Sequence, residues 1–310
     1  MSTRGLKNNI KNKRVAILGP GAIGGFLAAL FWHNGIDVVC IARESAKKII
    51  SKEGIRLESS FFGNFTARPK VITRLNFKPD MLFITTKAIS LKQALARVKP
   101  KFISNAVIIP LLNGIEHMQL LRSRYGKHVI AASIGSIEVK RVSASHIIHT
   151  TASAMIKMAS RDNLARKRIN EAAKLLSYIG VKTEVLKTEA DVLWEKLVRL
   201  GAMACTTAAS KKTVGQVRSQ KAWRKQLLQC VQEAVAVASA EGATVNTDDA
   251  MAKIDSIPFD VTTSTQRDIA LGNPSELDAV AGSIVRIGSR HNLRCPTIER
   301  IINEIQAKKI

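Results

Sequence analysis

The 310-residue sequence contains no apolar run near the roughly 18 residues that a membrane-spanning helix needs. Its longest candidates, such as 106–112, are short and closed by Asn, Pro or Gly. The basic first residues lack the continuous apolar stretch of a secretory signal, so 1–13 reads as a basic tail and the protein as cytoplasmic, with no membrane partner. Cysteine is sparse: Cys40, Cys205, Cys230 and Cys295 lie far apart among apolar or small neighbours. That distribution excludes a cysteine metal motif and reads as buried thiols in a reducing compartment. His146 and His149 have no acidic or cysteine companion at ligand spacing, so they read as structural and no metal is expected. Aromatics are scarce as well, with two Tyr and three Trp, and none is interleaved with a basic run as base-stacking platforms require. Acidic residues are the last shortage, 24 Asp and Glu against 48 Lys and Arg, a formal charge of +24. Such a charge attracts anions at long range. The basic residues are nevertheless spread along the chain, with only short clusters such as 11–14 and Lys211-Lys212, so the reading is a solvated basic surface with no specific nucleic-acid partner.

What remains is a chain of ordinary hydrophobicity, long enough for two domains. Its first half alternates short apolar runs with helical patterns, the mark of parallel βαβ units. Strands are expected over 14–18, 36–42, 81–86 and 106–112, with a helix over 25–34 that stops at Gly35. Ser90 and Gln93 have the spacing that opens a helix with a capping box. Strands and turns are expected over 129–159, and a helix over 164–178. From Thr188 the pattern is almost wholly helical: 192–209, 222–240, a helix opened by Asn273-Pro274 and running to about His291, and 296–307. The expected boundary gives one domain over 1–187 and a helical one over 188–310.

Gly19-Pro20-Gly21-Ala22-Ile23-Gly24 is a G-x-G-x-x-G sequence directly after a strand and opening a helix. In that context the first glycine makes the tight turn, the second lets backbone approach a pyrophosphate, and Gly24 allows close helix packing. The helix-start N–H groups, Ala22 and Ile23 included, then face the phosphates. After the second strand, where an NAD protein usually carries a carboxylate, stands Arg43, with Lys47 and Lys48 close behind and Glu44 adjacent. A guanidinium pairs with the 2′-phosphate of NADP, so the expected cofactor is NADPH.

Together with this loop, the segments 86–88 (Thr-Lys-Ala), 112–114 (Leu-Asn-Gly), 194–196 (Trp-Glu-Lys) and 264–278 resemble the ketopantoate reductases (2-dehydropantoate 2-reductases), over nearly the whole chain and in the same order. The resemblance implies an N-terminal Rossmann-type parallel-sheet domain followed by an all-helical domain like the C-terminal one of 6-phosphogluconate dehydrogenases, with nicotinamide and substrate in a cleft between them. It also implies NADPH-dependent reduction of a 2-oxo acid, first of all 2-dehydropantoate to pantoate in pantothenate biosynthesis. Hydride transfer to a ketone leaves a developing alkoxide that needs a proton donor. By resemblance Lys196 is that general acid and Glu276, in the first turn of its helix, is a polar partner for the substrate. Asn113 and Lys87 border nicotinamide and substrate, and Ser264 holds the substrate carboxylate. A homodimer is compatible with this reading.

One departure is specific. Residues four and eight beyond Lys196 share its helical face, and in ketopantoate reductases these positions are typically asparagines that grip the substrate. Here they are Leu200 and Ala204, and a third such position is Val214. Thr206 or Thr207 would be a compensating polar group. Otherwise the substrate is a more apolar 2-oxo acid, or the chain is a non-catalytic NADP(H)-binding protein.

Overall fold

Residues 10–159 and 163–307 are described by the structure, a computed structural model; residues 1–9 of the expected tail lie outside them. They fall into two units, Met1–Leu112 with His117–Glu189, and Asn113–Glu116 with Ala190–Ile310.

The first unit contains β1 (Arg14–Leu18), α1 (Ala22–His33), β2 (Asp37–Ile41), α2 (Glu44–Glu53), β3 (Ile55–Ser59), β4 (Phe65–Ala67), β5 (Lys70–Ile72), β6 (Met81–Ile84), α3 (Leu91–Leu95) and β7 (Val107–Pro110). After the segment Asn113–Glu116 it resumes with α4 (His117–Tyr125), β8 (Ala131–Ser136), β9 (Val139–Arg141), β10 (His146–His149), β11 (Met155–Ala159), α5 (Asn163–Tyr178) and β12 (Lys182–Val185). A five-stranded, all-parallel sheet runs β5-β2-β1-β6-β7. Val15, Ala16, Ile17 and Leu18 are all buried, as a strand covered on both faces requires. Register places Leu18 beside both Ile41 and Ile84. The carboxyl ends of β1, β2 and β6 therefore share one edge, and Gly19, Arg43 and Lys87 all follow that edge.

The four strands read from the sequence are β1, with the expected bounds, and β2, β6 and β7, trimmed at their ends. Beyond them stand the three-residue edge strand β5 and two mixed sheets, β4-β3-β10-β9 and β12-β11-β8. The expected capping box at Ser90 does not form. Ser90 closes a 3₁₀ turn, Ala88–Ser90, so its backbone is already helical and its side chain makes no cap hydrogen bond. His149 is buried between two hydroxyls, Nδ1 at 2.9 Å from Ser59 and Nε2 at 2.8 Å from Thr151, while His146 meets Glu58. All four cysteines are buried and unpaired. Burial pushes the Cys40, Cys205 and Cys295 thiols up to about 12, which leaves them neutral and unreactive.

The second unit is helical: α6 (Glu189–Ser210), α7 (Val214–Ser219), α8 (Lys221–Ala240), α9 (Thr247–Asp255), α10 (Ser264–Ala270), α11 (Ser283–Arg290) and α12 (Pro296–Ala307). Trp194, Val198, Ala204 and Cys205 on α6 are fully buried and share one apolar cluster with Cys230, Val231 and Ala234 of α8 and Ile298 and Ile301 of α12. Truncating Trp194 would cost about 3–5 kcal/mol by the usual scale for large aromatics. The helix expected to start at Asn273-Pro274 starts later. A π-helical turn, Asp278–Gly282, precedes α11. Glu276 stands two residues before it, ahead of the helical Leu277, its carbonyl accepting the Val280 N–H at 3.0 Å, so this residue lies at the helix start and not inside its first turn. Among the described residues no helix is long and apolar enough to cross a membrane.

Candidate active site

The glycine turn comes first. Gly19 has φ +88°, and a Cβ there would meet Thr86 Cγ2 at 2.6 Å. Its N–H donates to Ile41 O at 3.0 Å, and the Thr85 hydroxyl donates to Gly19 O at 2.7 Å, so β2 and the end of β6 both fasten the turn. A Cβ on Gly24 would press into Thr85 Oγ1 and Gly19 O, and only glycine lets α1 approach β1 this closely. Gly21 is the N-cap of α1 and brings no capping side chain. The first N–H groups of the helix, at Ala22, Ile23 and Gly24, therefore have no side-chain cap at Gly21. A Cβ built on Gly21 would find nothing nearer than 4.0 Å. Beside the turn, the buried Thr86 hydroxyl has no hydrogen-bond partner within the protein. Donor groups at a helix start, a space that a side chain would fill and an uncommitted hydroxyl together fit a dinucleotide pyrophosphate. Arg43, exposed, is the N-cap of α2, and Glu44 beside it is paired with Lys47 at 3.4 Å. Lys87 is exposed and leads into the 3₁₀ turn after β6.

The second cluster lies within the helical unit. Lys196 Nζ donates to Asn113 Oδ1 at 2.9 Å, and Asn113 Nδ2 donates to Glu276 Oε2 at 2.9 Å. Three residues distant in sequence thus form one hydrogen-bonded row, with the amide oxygen toward the amine and the amide nitrogen toward the carboxylate. Glu276 is buried; Asn113 and Lys196 are partly buried. Burial drives the Lys196 amine from 10.5 down to about 8, with Glu276 opposing and Arg199 reinforcing the fall. An amine at that value is mostly charged at neutral pH yet readily gives up its proton, the property of a general acid.

Arg199, one turn from Lys196, was not singled out by the sequence. It is partly buried, its Nε donates to Glu195 O at 3.2 Å, and burial lowers its pKa. The helical spacing from Lys196 was the signal that could have found it. Leu200 and Met203 share this partly exposed face, whereas Ala204 and Val214 are core residues with 0% and 1% exposure. Thr206 and Thr207 do not replace the missing amides. Their hydroxyls are turned back to Ala202 O (2.8 Å) and Met203 O (2.7 Å), the usual recourse of a buried hydroxyl in a helix. Ser264 is the exposed first residue of α10, capped by the buried Thr263, whose hydroxyl is 3.0 Å from that of Thr207. Among the described residues no group of His, Cys, Asp or Glu could hold a metal ion.

Comparison with known proteins agrees with this architecture. The family model described as ketopantoate reductase PanE/ApbA matches residues 15–163, and that of its C-terminal part matches residues 190–309. The chain is 26% identical over 297 residues to the uncharacterized oxidoreductase YkpB of Bacillus subtilis, covering 94% of this chain and 97% of that one. A PanE/ApbA family ketopantoate reductase from Ralstonia eutropha JMP134 superposes with a TM-score of 0.85 at 24% identity, covering 96% of this chain and 98% of its own. D-mandelate dehydrogenase, solved with NADH and anilino(oxo)acetate, gives 0.84 at 17% identity with the same coverage. With both halves of the family pattern matched in order, the chain belongs to the ketopantoate reductase family of oxidoreductases.

Proposed function

We propose that the protein reduces a 2-oxo acid with NADPH, the substrate being 2-dehydropantoate and the product pantoate, a step of pantothenate biosynthesis. The single observation that carries this reading is the Lys196–Asn113–Glu276 row, in which a carboxylate and an amide surround an amine of lowered pKa. Reduced nicotinamide supplies the hydride when bound. The first-turn N–H groups of α1 hold the pyrophosphate, and the Arg43 guanidinium pairs with the 2′-phosphate. Lys196 donates its proton to the carbonyl oxygen as charge develops there, while Asn113 and Glu276 keep the amine aimed. The carboxylate of the 2-oxo acid is taken by Arg199, with Ser264 as a further hydrogen-bond donor. Four buried thiols suit a reducing cytoplasm as the setting.

A second substrate has its own support. Leu200 and Met203, not amides, flank Lys196, which favours an apolar substituent on the 2-oxo acid. The D-mandelate dehydrogenase of the same fold, bound to anilino(oxo)acetate, exemplifies such a ligand. Following NADPH consumption with 2-dehydropantoate beside aryl and branched 2-oxo acids separates the two. A higher kcat/KM for 2-dehydropantoate supports the first reading, and a preference for the apolar acids replaces it. No turnover with any of them removes both.

A further inference from the structure

The segment Asn113–Glu116 lies 74 residues or more from the chain it packs with, yet groups with the helical unit. What holds it there is at its far end. Arg286 on α11 grips Glu116 with two bonds, Nε to Oε1 at 3.0 Å and Nη2 to Oε2 at 2.7 Å. Its remaining nitrogen, Nη1, donates to Asp278 Oδ1 at 2.7 Å. Between the two ends, Gly114 at φ +84° lies so close to the π-turn that a Cβ would run into Ala279 O, a carbonyl already fixed by the Ser283 hydroxyl at 2.7 Å. Gly282 serves the same fastening, since a Cβ there would stand 2.5 Å from Asp278 Oδ1 and 3.0 Å from Arg286 Nη1.

We infer that Arg286 is a positioning residue: by clamping Glu116 against the π-turn it sets the Asn113 amide between Lys196 and Glu276. The inference rests on the proposed role of Lys196. Asn113 must present oxygen to the amine and nitrogen to the carboxylate at once, and a short segment anchored only at Asn113 would let the amide rotate or withdraw. A bidentate fork three residues on removes that freedom, because a guanidinium meeting a carboxylate on two bonds fixes orientation as well as distance. Displacement of a catalytic group by about 1 Å costs on the order of 10²-fold in rate.

The test is a cycle on kcat with Arg286→Gln and Asn113→Ala, alone and combined, on the full chain. Arg286→Gln should lower kcat by about tenfold or more and leave the KM for NADPH unchanged. In the Asn113→Ala background the same substitution should change kcat by less than about twofold, since the group it positions has gone. Arg286→Lys, which keeps the charge without the fork, should recover only part of the loss. Equal fold-losses in both backgrounds, or a folded Arg286→Gln protein of full activity, would overturn the inference. Amide hydrogen exchange over 113–116 supplies a reading independent of turnover: it should accelerate in Arg286→Gln while α8 and α12 stay protected, and unchanged exchange overturns the clamp. Lys196→Ala as a control tells the two failures apart. Full turnover in that variant defeats the proposed function, and the clamp is then judged on exchange alone.

Discussion

The most direct test of the chemistry is the pH at which Lys196 stops working. An exposed lysine titrates at 10.5, whereas this one is held at about 8, mainly because burial withdraws water from its charged form. That difference corresponds to about 3 kcal/mol against the ammonium, using the standard 1.36 kcal/mol for each tenfold change. If Lys196 donates the proton, kcat/KM is flat at low pH and falls tenfold for each pH step above the limb. At pH 7 about nine-tenths of the enzyme is competent, and at pH 9 about one-tenth; an amine of ordinary value would still be almost fully protonated there. The assay is the initial rate of NADPH oxidation at limiting 2-oxo acid from pH 6 to pH 10.5, at constant ionic strength. The carboxylate of Glu276 opposes the effect of burial, so Glu276→Gln should move the limb further down. A profile that stays level to pH 9.5, or a limb at the same place in Glu276→Gln, would show that another group protonates the product.

Burial of the charged Lys196 costs stability in full below about pH 8, and the cost is relieved as pH rises toward 10.5, so the unliganded protein should melt higher across that window by calorimetry; Lys196→Met should lack the increment. Arg199→Ala should raise the pH limb, because a neighbouring cation is removed, and increase the KM for the 2-oxo acid more than that for NADPH; an unmoved limb would refute the charge coupling. Arg43→Ala should weaken NADPH by at least tenfold and NADH much less, measured by fluorescence titration, and equal losses would reverse the cofactor assignment. Gly24→Ala forces a methyl group against Thr85 Oγ1 and Gly19 O, so it should cost about 1–3 kcal/mol in urea unfolding and weaken dinucleotide binding; a neutral result would refute the close packing.

Local pattern carried much of the fold. The apolar runs that became β1, β2, β6 and β7 were legible because a parallel strand buried on both faces must be apolar throughout. Gly19 and Gly24 were legible because each answers a backbone or packing demand that no other residue meets, and Gly21 because it leaves open the space that a side chain would fill. Three-residue strands such as β5 left no trace, since so short a run has no period and takes its partners from the sheet it joins. The late start of the helix after Glu276 was hidden for a related reason: Asn273-Pro274 is a valid helix opening, and only the Asn113 amide drawing on the Glu276 carboxylate shows what stands at its true start.

Composition and spacing alone determined that this chain has a parallel-sheet half with a dinucleotide turn and a helical half bearing Lys196. They could not determine which residues meet. That Asn113 lies between Lys196 and Glu276, that Ala204 and Val214 are core instead of lining, and that Thr206 and Thr207 spend their hydroxyls on their own helix were decided by tertiary packing. The reason is physical: a side chain's partner is set by where distant segments come to rest, while its own segment fixes only the direction in which it leaves the backbone.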